Sequence, residues 1–376
     1  MAAYAVALTV LGACIPVLGY VGVRAVLDSS DGEVIDPVLD PNEPRYQALV
    51  PPSPTLLVLQ TDAAGSLVGT VLLSLPSGDA VGGGVLLMPP GTLADIPEIG
   101  RLPIEASYDF NGADSARSTA ERAMHVGIDE VVVITAAEWA DMVELTGPVT
   151  VTNPDVLRGA DGSVVFPAGR LELAPDDVAL FAGFVSPDES RLNRVLRQEL
   201  VWSAWLGDLA DAPEGLVFPG EQERGIARFL TAIVAGTHRV ESLPVVADAE
   251  ANEPGSTVGF TVDEEALAEL VPRLIPFPTG AMPGDRPLVK VLAGVADRSL
   301  IQPAVRRAVA TGGQVVMIGN AEHFDHPETE VRFAEPALRS YAESVVEALG
   351  FGTVMQVDEI DDSAQVIVVL GADADL

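Results

Sequence analysis

The first folded part of the chain opens with two apolar runs that a short polar turn separates. Residues 55–78 are TLLVLQTDAAGSLVGTVLLSLPSG, with a Gly-Ser pair between the runs. Apolar runs of this length around a turn predict a pair of strands. Residues 115–126 then show helical spacing and end just before Gly127, which predicts a helix.

Strand and helix patterns alternate beyond this helix. The segments are a buried-strand pattern at 128–134 (IDEVVVI), a helical pattern at 136–145 and a strand pattern at 147–152. This β-α-β alternation predicts an α/β layer fold. Two more helices are predicted, a long one over 188–206 and another over 221–234, and the unit closes near Val246.

The last 90 residues repeat the alternation on a smaller scale. Strand patterns lie at 287–292, 314–319, 328–333 and 364–373, and helical patterns lie at 299–310 and 336–349. They predict a small, separate α/β domain over residues 287–376. The proline-rich and acidic segment 248–286 is predicted to be a linker with a short helical stretch at Asp263–Leu270.

The N-terminal pattern is different, because Ala2–Val23 carries no charge over 22 residues. As a helix it would span about 30 Å of hydrocarbon, so we predict a transmembrane anchor over residues 1–27. A cleaved signal peptide is the alternative, but it would have a basic start and a shorter apolar core. Lipidation of Cys14 in the LGAC motif is a further alternative. Residues 28–52, rich in proline and acid, are predicted to form an exposed stalk, and 53–247 the first α/β domain.

Charge and cysteine usage narrow the range of functions. The chain has 21 Lys and Arg against 55 Asp and Glu, a formal net charge of −34. Such a surface repels a phosphate backbone, so we predict no nucleic-acid partner. Cys14 is the only cysteine, which excludes an intramolecular disulfide.

Three arginines in RLNRVLRQEL form the candidate site. Arg191, Arg194 and Arg197 are spaced by three, so in a helix they fan over roughly 120° of one face and can converge on one anion. The competing interpretation is salt bridging to neighbouring acids, namely Asp188, Glu189 and Glu199. Exposed pairs of that kind contribute only about 0–1 kcal/mol each, so they permit arginine without requiring it.

Two other groups of residues, the HFDHPETE segment and a pair of tryptophans, are interpreted as structural. His323, Asp325, His326, Glu328 and Glu330 crowd into the segment HFDHPETE, but their spacing fits no established metal-ligand pattern, and we predict no metal site there. Trp202 and Trp205 follow the arginines on the same predicted helix. They are predicted to belong to the core or to the wall of a groove.

At the level of motifs, the first unit resembles the LytR-CpsA-Psr (LCP) family of bacterial envelope proteins. The likeness covers roughly residues 53–210, through SLPSGD, IEASYDFNGADSARSTAE, IDEVVVITAAEWADMVELTGPVTV and RLNRVLRQELVWSAWL. The last unit resembles the LytR C-terminal domain, through VKVLAG, VMIGNAEHFDHPETEVRF and VIVVLGAD. The resemblance implies an α/β/α domain with a central mixed sheet.

The resemblance also implies a chemistry. Family members transfer a glycan from a polyprenyl-pyrophosphate carrier to peptidoglycan or a related wall polymer. An apolar groove would hold the prenyl chain, arginines would clamp the pyrophosphate, and carboxylates would hold Mg²⁺ in an active member. The family pattern implies ligand binding by Arg194, Arg197, Gln198 and Asp79. If catalysis survives, the implied residues are Arg191, Arg194, Arg197 and Asp188.

Several positions depart from the family pattern. Arg191 stands where the family has an acidic residue, and Ser77, Pro54, Pro103 and Glu105 replace the expected arginine, aspartate, lysine and asparagine. One arginine that stabilises a transition state can be worth about 10³ or more in rate, so these losses predict a catalytically degenerate member.

The resulting expectation is a single-pass protein of the cytoplasmic membrane with extracytoplasmic domains, acting in cell-wall assembly. It would bind a polyprenyl-(pyro)phosphate carrier, or a wall polymer or envelope protein. Two alternatives stay open: an active glycopolymer-peptidoglycan phosphotransferase with a rearranged site, and an envelope scaffold that acts through its C-terminal domain.

Overall fold

The computed structural model describes residues 38–187, 189–212, 215–248, 259–360 and 363–376. The predicted membrane span Ala2–Val23, Cys14 and the candidate Asp188 therefore lie outside the described residues. Among the helices that are described, none has the length and apolar character needed to cross a bilayer.

Strands and helices alternate along the described chain. The helices are α1 Ile104–Met124, α2 Ala136–Val143, α3 Pro175–Gly183, α4 Arg191–Ala210, α5 Gly225–Val234, α6 Glu264–Leu274, α7 Ile301–Ala310 and α8 Arg339–Leu349. The strands are β1 Gln47–Leu49, β2 Thr55–Thr61, β3 Leu67–Ser74, β4 Gly83–Met88, β5 Leu93–Ile96, β6 Gly100–Pro103, β7 Glu130–Thr135, β8 Val149–Asn153, β9 Leu157–Arg158, β10 Val164–Phe166, β11 Gly169–Leu173, β12 His238–Ser242, β13 Val245–Ala247, β14 Phe260–Val262, β15 Leu288–Ala293, β16 Gln314–Asn320, β17 Glu330–Phe333, β18 Thr353–Gln356 and β19 Val366–Leu370.

A five-stranded mixed sheet forms the centre of the first unit, in the order β12-β4-β3-β2-β7. The β2-β3 and β3-β4 pairs are antiparallel, whereas β7 runs parallel to β2 and β12 runs parallel to β4. The strand pair and the following β7, α2 and β8 were predicted from the sequence. The α/β class with a central mixed sheet is thus confirmed.

Alternation along β2 sends side chains to both faces of this sheet. Leu57 and Leu59 pack with α1 and α6 in one apolar cluster, while Leu56 and Val58 pack with α2, α3, α4 and α5 in another. Because successive strand residues point to opposite faces, a fully apolar strand such as β2 must be covered on both sides. The result is a three-layer arrangement.

A six-stranded sheet forms the C-terminal unit, in the order β1-β16-β15-β19-β17-β18. Strand β15 runs parallel to both β16 and β19, and β17 runs antiparallel to β19. Apolar residues of α7 and α8, among them Val305 and Val345, are buried against it. The predicted strands and helices of this unit all have a counterpart in the structure.

Part of the predicted stalk is a strand of this C-terminal sheet. Gln47–Leu49 pairs antiparallel with residues 317–319 of β16. The buried Asn320 side chain donates to the carbonyl oxygens of Pro41 and Glu43, at 2.8 and 2.7 Å. A side chain at Gly319 would lie 2.1 Å from the Tyr46 carbonyl oxygen, so glycine is what allows this close approach. The sequence pattern shows the extended conformation but not this partner.

The predicted linker likewise contains packed structure. Strand β14 pairs with β13, and α6 buries Leu267, Leu270 and Val271 in the cluster that contains both α1 and the β15 side chains. Asp263 caps α6, its side chain accepting a hydrogen bond from the Ala266 amide. The helical stretch expected at Asp263–Leu270 is therefore present and joins the two units through a shared apolar cluster.

Candidate functional site

The arginine-bearing helix α4 begins at Arg191, after Ser190 whose side chain accepts a hydrogen bond from the Leu192 amide. Its buried face carries Arg194, Val195, Arg197, Gln198, Val201, Trp202, Trp205, Leu206 and Leu209. Two cations and an amide thus lie on the same buried face as two tryptophans. Buried polar groups of this kind need partners, and the partners differ from one arginine to the next.

Arg197 is fully engaged by the protein. Its Nη1 forms an ion pair with Glu189, its Nη2 donates to the Phe184 carbonyl oxygen, and its Nε donates to the Phe181 carbonyl oxygen at 3.3 Å. Phe181 lies in the last turn of α3 and Phe184 follows that helix, so Arg197 satisfies carbonyls that a helix end leaves unpaired. Burial lowers the pKa of Arg197, and the adjacent Glu189 opposes that shift.

Arg191 is also paired. Its Nη1 forms an ion pair with Glu105, which lies in the first turn of α1. Glu199, another acid considered from the sequence, accepts instead a hydrogen bond from the Ser242 hydroxyl at 2.6 Å. Of the acids proposed as neighbours, the structure thus pairs Glu189 with an arginine, and it adds Glu105, which sequence spacing did not suggest.

Arg194 differs from both. It is 8 % exposed, and its buried Nε has no hydrogen-bond partner. The structure shows no hydrogen bond or ion pair between Arg194 and any residue that it describes. Burial lowers the pKa of Arg194, while Glu105 opposes this change and Arg191 adds to it. A buried Nε–H group without a partner carries a desolvation cost, and an anionic ligand would offset that cost.

Gln198 lies one turn beyond Arg194 and has no exposed surface. Its Nε2 donates to the carbonyl oxygens of Val68 at 2.9 Å and Ala182 at 3.3 Å, while its Oε1 has no partner among the described residues. A side chain at Gly69 would lie 2.3 Å from Gln60 Oε1 and 3.0 Å from Gln198 Nε2. Glycine at this position of β3 therefore leaves room for the Gln60 and Gln198 side chains to pack against the strand backbone.

An apolar cavity of about 290 Å³ lies beside these amides. It lies at the ends of β2 and β7 and is bordered by α2 and α3. Its lining includes Gln60, Val68, Ile134, Trp139, Leu180, Ala182 and Phe184. Val68 and Ala182 are the same residues whose carbonyls bind Gln198, so α4 and the cavity share a wall. The cavity is close to the lower end of the size range of small-molecule sites, roughly 300–1,000 Å³.

All three tryptophans of the chain meet behind this cavity. The ring of Trp139 lies 4.8 Å from that of Trp202 and 5.6 Å from that of Trp205, and the latter two are 5.6 Å apart. We call these three residues the tryptophan cluster. Trp202 and Trp205 are core residues, as the sequence predicted, whereas Trp139 both joins the cluster and lines the cavity.

The predicted ligand residue Asp79 is not brought together with the arginines. It is exposed in the loop after β3, whereas Gln198 binds at Val68 near the start of that strand. The six steps from Val68 to Ser74 alone cover about 20 Å at ~3.3 Å each. Pro54 and Ser77 belong to the same distant end, because Leu75 bonds the Pro54 carbonyl and Ser77 bonds the Pro51 carbonyl. Their departures from the family pattern therefore say nothing about the surroundings of Arg194.

The loop HFDHPETE packs against the end of the C-terminal sheet. The backbone of His326 bonds Gly294 and Ala372, Asp373 accepts from Thr329, and Glu330 pairs with Arg332. In the described part of the chain, no group of three or more His, Cys, Asp or Glu is placed to hold a metal ion.

Sequence reasoning missed Gln60, Gly69 and Trp139 as parts of the site. The signal that could have found them is a glycine inside the apolar run LVGTVLL, since a glycine within a strand often marks a close approach of another group. Glu105 was noted as a departure from the family pattern but not as a partner of Arg191.

Comparison with known proteins identifies the C-terminal unit. Residues 288–373 match the family model described as LytR cell envelope-related transcriptional attenuator. No curated protein matches the chain by sequence. The LytR C-terminal domain that was recognised from the sequence in the last unit is confirmed by this match.

Three of the similar solved structures illustrate the likeness. TagV of B. subtilis is 15 % identical, with 59 % of this chain and 96 % of that chain covered and a TM-score of 0.46. The LytR-CPS2A-psr family protein YwtF (TagT), with bound octaprenyl pyrophosphate lipid, is 19 % identical over 64 % and 92 %, with a TM-score of 0.42. A LytR-Csp2A-Psr enzyme from Actinomyces oris is 17 % identical over 60 % and 93 %, with a TM-score of 0.44. These values are too low for a function to be carried over.

Proposed function

We propose that this protein binds a polyprenyl-(pyro)phosphate carrier outside the cytoplasmic membrane, as an LCP-like protein of cell-wall assembly that has lost glycan transfer. The observation that carries the proposal is Arg194, a buried cation without a partner in the described chain, one helical turn before the amide that binds the cavity wall. A phosphate satisfies the guanidinium, and the apolar cavity takes part of the prenyl chain.

The engaged arginines support binding without transfer. A pyrophosphate clamp needs several guanidinium groups free to follow the charge that develops during the reaction. Arg197 is committed to Glu189 and two carbonyls, and Arg191 is committed to Glu105. One free guanidinium can hold a phosphate but supplies little of the additional stabilisation that transfer requires.

The carboxylates described near Arg194 do not fit a Mg²⁺ site. Magnesium is held by carboxylate oxygens together with substrate phosphates and water. Glu105 and Glu189 each accept from an arginine instead, so we derive no step that passes through a metal ion.

The proposed location rests on the sequence and on the C-terminal unit. The uncharged span Ala2–Val23 would anchor the chain, with the two α/β units outside the membrane. The matched family is described as cell envelope-related, which is consistent with this placement.

The test measures binding and turnover with the full chain in detergent. Octaprenyl pyrophosphate is titrated while tryptophan emission is followed, and Arg194→Met is expected to weaken binding at least tenfold, since hydrogen bonds to charged groups contribute about 1.5–3 kcal/mol. Arg228→Met is the matched control, because Arg228 pairs with Glu130 on the outer strand β7, and its affinity should equal that of the wild type.

The same preparation separates the two alternatives. With Mg²⁺, a polyprenyl-pyrophosphate-linked glycan and peptidoglycan, we expect binding but no transfer. Transfer that is lost in Arg194→Met would establish the active phosphotransferase instead. Absence of any lipid binding would leave the scaffold function of the C-terminal domain.

A further inference from the structure

The apolar cavity ends at an aromatic wall. Trp139 lines the cavity and is almost completely buried, and behind it stand Trp202 at 4.8 Å and Trp205 at 5.6 Å between ring centres. The three rings fill the space between α2 and α4, and neither Trp202 nor Trp205 lines the cavity. The side chain of Trp139 is therefore the boundary between the cavity and the core.

Helix α4 gives this arrangement a direction. Arg194, Gln198 and Trp202 follow one another at steps of four residues, so they lie along one face of the helix. Eight residues of α-helix rise about 12 Å. Gln198 binds the cavity wall at the Val68 and Ala182 carbonyls, and Trp202 contacts the Trp139 ring, so this face of the helix lies directly behind the cavity.

The volume of the cavity limits how much chain can be enclosed. A protein cavity of about 150 Å³ holds a benzene molecule, which has six carbon atoms. By that measure, the cavity of about 290 Å³ holds roughly a dozen carbon atoms. This corresponds to between two and three five-carbon isoprene units, far fewer than a polyprenyl carrier contains.

We propose that Trp139 sets the length of prenyl chain that the protein encloses, so that only the two or three isoprene units next to the phosphate are buried. The inference rests on the proposed function and makes Trp139 a specificity-determining residue. The rest of a long carrier would leave the cavity past Leu180, whose side chain lines the cavity and is 51 % exposed.

Removal of the Trp139 indole should lengthen the enclosed segment. The indole has nine ring atoms against six in benzene, so its loss opens roughly the space that holds a benzene molecule, enough for about one further five-carbon isoprene unit. The new space would be bounded by the edges of Trp202 and Trp205, which lie in direct contact with the Trp139 ring. The conservative change Trp139→Phe removes less volume and should shift the limit less.

The experiment measures affinity against chain length in the full protein. Geranyl, farnesyl and geranylgeranyl monophosphates, with 10, 15 and 20 carbons, are titrated while the emission of the tryptophan cluster is recorded. In the wild type, affinity should rise from 10 to 15 carbons and then change by less than about twofold. In Trp139→Ala it should rise by a further tenfold or more from 15 to 20 carbons, because each newly buried methylene adds to binding.

Leu180→Ala is the matched control. It removes apolar surface at the opening, so it should weaken all three ligands by a similar factor and leave the plateau at 15 carbons. If a thermal melt shows that Trp139→Ala is not folded, the same comparison is made with Trp139→Phe. For that variant the affinity is expected to rise about threefold between 15 and 20 carbons.

Two results overturn the inference while the proposed function stands: a wild-type affinity that keeps rising to 20 carbons, or a plateau that the Trp139 variants leave unchanged. Failure of all three ligands to bind overturns the proposed function and this inference together.

Discussion

Two regions of the molecule bury an arginine to nearly the same extent and treat it differently. Arg286, at the junction of the two units, is 6 % exposed, and its guanidinium donates to the carbonyl oxygens of His125 at 2.8 Å, Gly313 at 3.2 Å and Val309 at 3.4 Å. Arg194 on α4 is comparably buried but has no such contact with the described residues.

The contacts of Arg286 show what a structural arginine looks like here. It joins the end of α1, at His125, to the end of α7, at Val309, and so fastens the first unit to the C-terminal one. Burial lowers its pKa to about 10, and Tyr341 opposes this. Arg197 belongs to the same type, since it also satisfies carbonyls at a helix end. Burial alone therefore does not separate a structural arginine from a candidate binding residue, whereas the absence of a partner among the described residues does.

Arg197→Met should produce the largest loss of stability. It removes one member of a buried ion pair and leaves the Glu189 carboxylate uncompensated, which typically costs about 3–5 kcal/mol. Urea unfolding measures the change. The double variant Arg197→Met with Glu189→Leu should recover only the part of the loss that comes from the uncompensated carboxylate, because the Phe181 and Phe184 carbonyls still lack their donor. A single variant as stable as the wild type would contradict a structural role for Arg197.

Arg286→Met should cost less, about 2–4 kcal/mol, because it leaves carbonyl groups without a donor but no buried charge.

The same replacement at Arg194 deprives no described carbonyl of its donor, so the free energy of unfolding should stay equal or rise. Arg306→Met, at an exposed position, should change stability by less than about 0.5 kcal/mol. Equal losses at Arg286 and Arg194 would remove the distinction between the two regions.

Tyr341→Phe should have a smaller effect, and the pH dependence of that effect should appear only at alkaline pH. Burial raises the pKa of the Tyr341 hydroxyl, which donates to the Ala308 carbonyl oxygen beside Arg286. The unfolded chain loses this proton near pH 10 while the native protein keeps it, so the stabilising contribution is complete below about pH 10 and declines above it.

Urea unfolding midpoints at pH 8, 10 and 11 test whether stability declines above about pH 10 as predicted. Between pH 8 and pH 11 the wild type should lose up to about 1 kcal/mol more than Tyr341→Phe does. If the free energy of unfolding declined equally in the two proteins, ionisation of the Tyr341 hydroxyl would not contribute to the loss of stability.

Local patterns predicted the elements of the fold well. The strand pair β2-β3 and the succession β7, α2 and β8 follow from apolar periodicity and turn residues, as do β15, β16, β17, β19, α7 and α8 of the C-terminal unit. Strands β1 and β18 of that unit were not predicted. Strand β4 was missed because its glycines weaken the strand pattern of GGVLLM, and the first half of α1 was missed because Asn111 and Gly112 interrupt the helix. Apolar periodicity predicts which face of a segment is buried, but it does not predict which distant segment packs against that face.

The site was less predictable for the same reason. The spacing of Arg191, Arg194 and Arg197 placed them on one helical face, but their different partners come from Glu105, 86 residues away from Arg191, and from the carbonyls that follow α3. Asp79 was grouped with the arginines through a family pattern, and the structure places it at the other end of β3. Contacts between residues far apart in sequence depend on the whole fold, which no local pattern contains.

The pairing of β1 with β16 has a consequence for biosynthesis. Glu43 and Asn320 are joined by a hydrogen bond across 277 residues of chain, so the early segment leaves the ribosome long before its partner exists. Contacts across such long loops form late, because the closure entropy must be overcome first. Until then the edge of β16 is uncovered and can pair with the same segment of another nascent molecule. Docking of Gln47–Leu49 would then cover the β16 edge and complete the six-stranded sheet.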